Sequence, residues 1–344
     1  MKKGYKLSFD IISKHRTILM GITILSIIFF HYTEDCVNYN YNLAPSIVYY
    51  KKYIGSSGVD IFLFLSGFGL YYSFKKNQDL RTFFKKRFTR ILIPYFIISI
   101  PAWYIKDFLI EDKGLVHFLK DLFFISFFES GRIWFWYILM ILICYLIFPY
   151  IFDFIDRPSS FARVINVFIF ITVIGIVLDL YNHEIFSNIN IALLRFPMFF
   201  CGGIIGKASW NKELIPKHSW VILVLSLVLL SIKDSSKVLL SRYILGIFGI
   251  VITFCIAALL EYLSSKIFCR IYNCVYKSLC WFGNYSLELY LIHVAIRGIM
   301  NWYGLPTYRI RYECVLVILS IAGSLLLKRI TNLILENTVY VNRA

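Results

Sequence analysis

Long uninterrupted apolar runs alternate with short polar segments along the whole chain. The runs are continuous rather than alternating in and out, which excludes a transmembrane barrel and leaves helices as the spanning element. A spanning helix needs about 20 mostly apolar residues. Runs near 15-33, 57-74, 91-110, 133-152, 163-180, 191-206, 219-232, 243-263, 284-303 and 313-335 therefore predict about ten transmembrane helices. The fold class expected is all-α, a polytopic membrane helix bundle in which residues 1-344 form one membrane domain. The runs at 191-206 and 219-232 are the shortest, and the stretch 111-132, with Lys113, Lys120, Asp121 and Glu129, reads as a loop with an amphipathic piece. The first run follows Lys2, Lys3 and Lys6 like a signal peptide, but its length and lack of a small-residue cleavage site predict a retained helix. There is no internal repeat, low-complexity tract or linker to a second domain.

Composition sharpens this picture. Of 344 residues, 59% are hydrophobic and only 16% charged, with a mean hydropathy of +0.70, so the bilayer must serve as solvent for much of the exterior. The net charge of +16 does not point to nucleic acid, because Lys and Arg are spread over many short loops. Placing both termini in the cytoplasm puts most of the 36 cations inside, among them Lys14, Arg16, Lys75, Lys76, Lys85, Lys86, Lys207, Lys266, Arg270, Lys328 and Arg343, as the positive-inside rule requires. Cysteines 36, 144, 201, 255, 269, 274, 280 and 314 form no CxxC pair and no ligand-like spacing with histidine, so neither a metal site nor a disulfide framework is expected.

An ionisable group at the centre of a membrane helix costs roughly 2.5 to 3.5 kcal/mol on insertion scales, so each one is a functional candidate. These are His31, Asp60, Arg195, Glu288, His293 and Arg297, with Arg87 and Arg90 at the inner rim. His31 at the outer end of the first helix and Asp60 at the outer start of the second share a depth. A carboxylate on one imidazole nitrogen would make the other a base, and Glu34 and Asp35 follow on the same face. The competing reading is an interfacial polar tip and a helix cap. Arg87 and Arg90, three apart on one face, suit a phosphate, or else simply anchor the helix end. Arg195, Glu288, His293 and Arg297 serve either a site or a polar network between helices. Gly202, Gly203 and Gly206 suit close helix approach better than a nucleotide cradle. No Walker loop, GxSxG elbow or HExxH occurs.

At these same residues the sequence resembles the acyltransferase 3 family of bacterial membrane O-acyltransferases. The matching pieces are HRTILMGITILSIIFFHY (15-32), GVDIFLFLSGF (58-68), FFKKRFTRILIPYF (83-96), FWYILMILICYLIFP (135-149), RFPMFFCGGIIG (195-206) and GNYSLELYLIH (283-293). The resemblance implies a ten-helix domain of a bacterial inner (cytoplasmic) membrane. It implies a donor, acyl-CoA and usually acetyl-CoA, used as substrate rather than held permanently. It implies an acceptor hydroxyl on a cell-surface or lipid-linked glycan or a small molecule, alongside partner proteins of polysaccharide biosynthesis. By position, His31 matches the family's first-helix histidine, and Arg87 and Arg90 match its RxxR motif. Asp60 and the 283-293 segment match recurrent positions. The family's arginine eleven residues before the histidine is Met20 here. Arg16 lies about 22 Å and about 60° from His31 along an ideal helix, so a simple substitution by Arg16 is not expected.

The expected mechanism holds CoA phosphates on Arg87 and Arg90 while His31, oriented by Asp60, deprotonates an acceptor hydroxyl or relays the acyl group covalently. The competing class is a non-enzymatic carrier or flippase of a sugar-lipid or small solute using the same buried charges as a path. A third is a scaffold or sensor, for which Met20 is the argument.

Overall fold

The structure, a computed structural model, describes residues 7-41, 44-53, 55-158, 161-233, 238-266 and 270-341. Lys2, Lys3, Lys6, Cys269 and Arg343 lie outside the described residues, as do the side chains of Lys266 and Arg270. Among the described residues there is no strand, only an isolated bridge between Ser8 and Leu214. The helices are α1 (Asp10–Asn38), α2 (Pro45–Tyr53), α3 (Gly58–Lys76), α4 (Leu80–Tyr104), α5 (Gly114–Leu122), α6 (Ile125–Ser130), α7 (Trp136–Asp156) and α8 (Phe161–Tyr181). They continue with α9 (His183–Leu193), α10 (Phe196–Trp210), α11 (Trp220–Ser231), α12 (Val238–Lys266), α13 (Arg270–Asn284), α14 (Ser286–Trp302) and α15 (Ile310–Val341).

Every expected run has a helical counterpart. Among the described residues, eight stretches are long and apolar enough to cross a membrane by themselves: Asp10–Asn38, Gly55–Lys76, Leu80–Ile110, Trp136–Asp156, Ala162–Tyr181, His183–Trp210, Val238–Ser264 and Ile310–Glu336. The remaining two, α11 and α14, are short. In α14 the reason is chemical. Glu288 and Arg297 interrupt its apolar surface, and the helix is largely buried against α1, α4 and α15 instead of facing lipid. The 111-132 stretch, expected as a loop with an amphipathic piece, forms two short helices, α5 and α6, and α2 and α13 add helices where the sequence reading has none.

Lipid-facing and protein-facing helices differ by composition. On α8, Ile169, Phe170, Val177 and Leu180 are exposed apolar side chains with only the bilayer to cover them. On α3, apolar residues point in every direction and nearly all are buried, which makes it the central helix. Its partner is α10. A Cβ on Gly67 would overlap the Phe199 carbonyl, and one on Gly202 would overlap the Phe64 carbonyl, so backbone meets backbone along this pair. The two helices run parallel, which brings Asp60 and Arg195 to one end of the bundle. A second glycine contact joins α1 to α13, where Gly21 meets the Leu279 carbonyl and Gly283 the Thr17 carbonyl.

Helix α4 contains Pro94 and Pro101. Pro94 has no N–H for the carbonyl of Arg90, four residues earlier, so the helix is weakened where Arg87 and Arg90 project. Beyond Pro101 it widens into a π-helical turn, Ile105–Ile110, that leads to α5 and α6. Replacing Gly202 with Val is expected to overpack the α3–α10 contact and cost ~1–3 kcal/mol or more. A lowered thermal unfolding midpoint in detergent checks this, and an unchanged midpoint would contradict the contact.

Candidate functional site

Two cavities enter the bundle from opposite ends of α1. The first, about 540 Å³, is lined by His31, Glu34 and Asp35 of α1, Arg195, Arg242, Arg297 and a group of tryptophans. The second, about 160 Å³, is lined by Arg16 and Met20 of α1, Arg87 and Arg90 of α4, Tyr145 of α7, and Asn284, Ser286 and Glu288. Tyr290 of α14 lines both. Its ring meets Tyr137 edge-on, with centroids 5.4 Å apart, so a pair of tyrosines stands where the cavities approach each other.

In the larger cavity the His31 imidazole stacks on that of His293, with centroids 5.3 Å apart and planes 3° from parallel. Nδ1 of His31 and both nitrogens of His293 are buried without a hydrogen-bond partner. Two stacked rings repel if both are charged, so the geometry suits at least one neutral imidazole, the form that accepts a proton.

The expected His31–Asp60 pair does not form. Asp60, in the first turn of α3, instead makes an ion pair with Arg195, Nε to Oδ1 at 3.3 Å, with both side chains buried. The physical reason is the parallel α3–α10 packing, which sets the two helix starts side by side. Arg195 also donates to the carbonyls of Ile191 at 2.6 Å and Ser56 at 3.2 Å, and its guanidinium lies over the Trp136 ring at 5.3 Å. Glu34 and Asp35 are likewise not on His31. They clamp Arg297, whose Nε donates to Asp35 Oδ2 at 3.0 Å and whose second nitrogen reaches Glu34 at 2.9 Å and Asp35. Thr307 adds a hydrogen bond to Asp35 at 2.7 Å. The histidine pair, not a carboxylate, is therefore what His31 has for a neighbour.

The tryptophans come from a local device in the chain. Phe135 has φ of 55°, an unusual backbone for a bulky residue, and turns its own ring into the core while Trp134 and Trp136 both face the cavity. The segment before it is locked by charge. Arg132 donates to Asp121 at 2.8 Å and Glu111 at 3.0 Å, and Lys106 reaches Asp121 at 3.2 Å from among the rings of Trp103, Trp134 and Trp302. Burial pushes the Asp121 carboxyl above the usual carboxylate range and Arg132 below the usual guanidinium range. Asp107, His117 and Asp121 bring ligand atoms within 4.8 Å of one another and are the described group able to hold a metal ion. Lys106 and Arg132 already compensate those carboxylates, which weighs against a divalent ion there.

In the smaller cavity the structure joins residues that sequence spacing had kept apart. Arg16 and Met20, one helical turn apart on α1, line this cavity together with Arg87 and Arg90, and Arg16 is held against α3, where its Nε donates to the Leu65 carbonyl at 3.1 Å. Arg87 lies over the Tyr145 ring at 6.0 Å, and its Nε is buried without a hydrogen-bond partner. Glu288 belongs to this cavity, with Lys328 3.8 Å away. The 283-293 segment thus serves both ends, Gly283 to Glu288 at the cationic cavity and His293 behind His31. Sequence reasoning missed Arg242, which was left just outside the run expected at 243-263, and the two tyrosines, whose position only packing reveals.

A family model described as "Acyltransferase domain", that of the acyltransferase 3 family, matches residues 18–329, nearly the whole chain. The chain belongs to this family of membrane acyltransferases. No curated protein and no solved structure matches it.

The Arg297 clamp has a checkable cost. Arg297→Met leaves the buried Asp35 carboxylate without its cation and is expected to lose roughly 3–5 kcal/mol of stability. Combining it with Asp35→Asn should cost much less than the sum of the single changes, as measured by thermal unfolding. Strict additivity would show that the two side chains do not depend on each other.

Proposed function

We propose that this member of the acyltransferase family moves an acyl group, acetyl first among them, from cytoplasmic acyl-CoA to a hydroxyl of a cell-surface or lipid-linked glycan. The observation that carries the reading is the placement of two chemically different cavities on either side of Tyr290: a cluster of Arg16, Arg87 and Arg90 on one, and His31 stacked on His293 on the other.

Guanidinium groups that stay charged and bind oxyanions bidentately suit the phosphates of CoA. The distribution of Lys and Arg supports a cytoplasmic position for that end of the bundle, the compartment that would supply the donor. Arg16 lines this cavity beside Met20, which supports a donor role for this end despite the absence of an arginine at position 20. The pantetheine arm then extends past Tyr137 and Tyr290 and presents the thioester carbonyl to the histidine cavity.

There, a neutral His31 accepts the proton of an acceptor hydroxyl as its oxygen attacks the thioester carbonyl. The C–S bond breaks, the CoA thiolate leaves, and the acyl ester remains on the acceptor. A covalent relay, with the acyl group held briefly on an imidazole nitrogen, balances equally well. His293 positions the His31 ring from behind. Asp60 acts at one remove, by holding Arg195 in the cavity wall. A carrier or flippase would use the same charges without breaking the thioester, so release of free thiol from acetyl-CoA separates the two classes.

His31→Ala is expected to insert normally and to lower transfer by about 10²–10⁴-fold, the range typical of a lost general base. Undiminished acylation by this variant would remove His31 from the chemistry. Arg87→Gln together with Arg90→Gln should raise the apparent KM for acetyl-CoA by about tenfold or more while leaving kcat closer to the parent, since each charged contact contributes roughly 1.5–3 kcal/mol. Steady-state thiol release measures both, and an unchanged KM would place the donor elsewhere.

A further inference from the structure

The histidine cavity has a charge arrangement that the acyl-transfer chemistry does not use. Three guanidinium groups line it, and they are compensated unequally. Arg297 faces two carboxylates, Glu34 and Asp35. Arg195 faces one, Asp60, through a single ion-pair contact. Arg242, near the start of α12, is within electrostatic reach of both Arg195 and Asp60, yet among the described residues no carboxylate lies within ion-pair distance of it. One wall of the cavity therefore carries an excess cation, while the Arg297 wall carries an excess carboxylate.

An uncompensated guanidinium inside a membrane domain is costly, and it is retained where it meets an anion. Screening by solvent is weak in a cavity walled by Trp134, Trp136 and Trp302, so the field of Arg242 is concentrated on whatever occupies the space. At about 540 Å³ the cavity falls within the roughly 300–1,000 Å³ range of small-molecule pockets, enough for a sugar unit beside His31.

We infer that Arg242, together with Arg195, binds an anionic group on the acceptor, either a sugar carboxylate or a phosphate, and so selects an acidic acceptor over a neutral one. The inference rests on the reading of this cavity as the acceptor side. An arginine pair recognises both anions with the same planar, bidentate geometry, so the two sources have to be told apart by experiment.

Binding to the purified full-length chain in phosphatidylcholine nanodiscs provides the test, with no acyl donor present. The probes are glucuronate for a carboxylate, glucose 1-phosphate for a phosphate, and glucose as the neutral control. At least one anionic probe is expected to bind about tenfold or more tightly than glucose, the scale of a charge-assisted contact. Whichever does so identifies the source. Arg242→Gln should erase the preference, whereas Arg87→Gln with Arg90→Gln should keep it, which assigns the binding to this cavity and not to the cationic one. If Arg242→Gln does not fold, Arg242→Lys decides: a weakened preference supports the inference and an undiminished one overturns it. Equal or absent binding of all three sugars also overturns it, as does a preference that survives in Arg242→Gln or disappears in the Arg87/Arg90 variant. Failure of the acyltransferase reading would show separately, as no thiol release from acetyl-CoA by the same preparation.

Discussion

A charged side chain inside a lipid-solvated bundle has to find its counter-charge within the protein, and much of this architecture follows from where those counter-charges lie. Asp60 meets Arg195 because α3 and α10 run parallel in close contact, and Glu34 and Asp35 meet Arg297 because α1 and α14 end together. Each pair fixes helix ends around the larger cavity. The histidines are left without a carboxylate, and this is what frees His31 for the space beside it.

The glycine contacts are the other half of that constraint. Apolar side chains gain little by leaving lipid for one another, so helices associate through close backbone approach and polar pairing. Gly67 and Gly202 supply the first for α3 and α10, and the ion pair at their starts supplies the second. The close approach is repeated where Gly21 and Gly283 join α1 to α13, while Arg16 of α1 donates to the Leu65 carbonyl of α3 and lines the cationic cavity.

The helices were legible in the sequence because continuous apolar runs have few alternatives in a bilayer. Even the polar stretch 111-132 declared itself through Lys113, Lys120, Asp121 and Glu129. The membership of the site was legible too, since intramembrane ionisable residues are few. Pairing was not. Equal depth made Asp60 look like the partner of His31, but depth along the membrane says nothing about which helices are neighbours, and α10 intervenes with Arg195. Ideal helical geometry likewise measured Arg16 against His31, when the relevant comparison was with Arg87 and Arg90 on a different helix. Arg242 carried no signal beyond its residue type, and Tyr290 only that of lying in the 283-293 segment; their significance comes from contacts between elements far apart in the chain.

The tyrosine pair bears on a demand that any enzyme reaching through an energised membrane must meet. Ions and protons would run down the transmembrane gradient through an open, hydrated channel from one face to the other. On the proposed two-sided reading, Tyr290, which lines both cavities, and Tyr137 packed edge-on against it would let each basin take up water and solutes from its own side while the bilayer keeps its electrical resistance. On the proposed reading, a slender thioester arm would fill that constriction as it threads through, so catalysis and insulation would not compete.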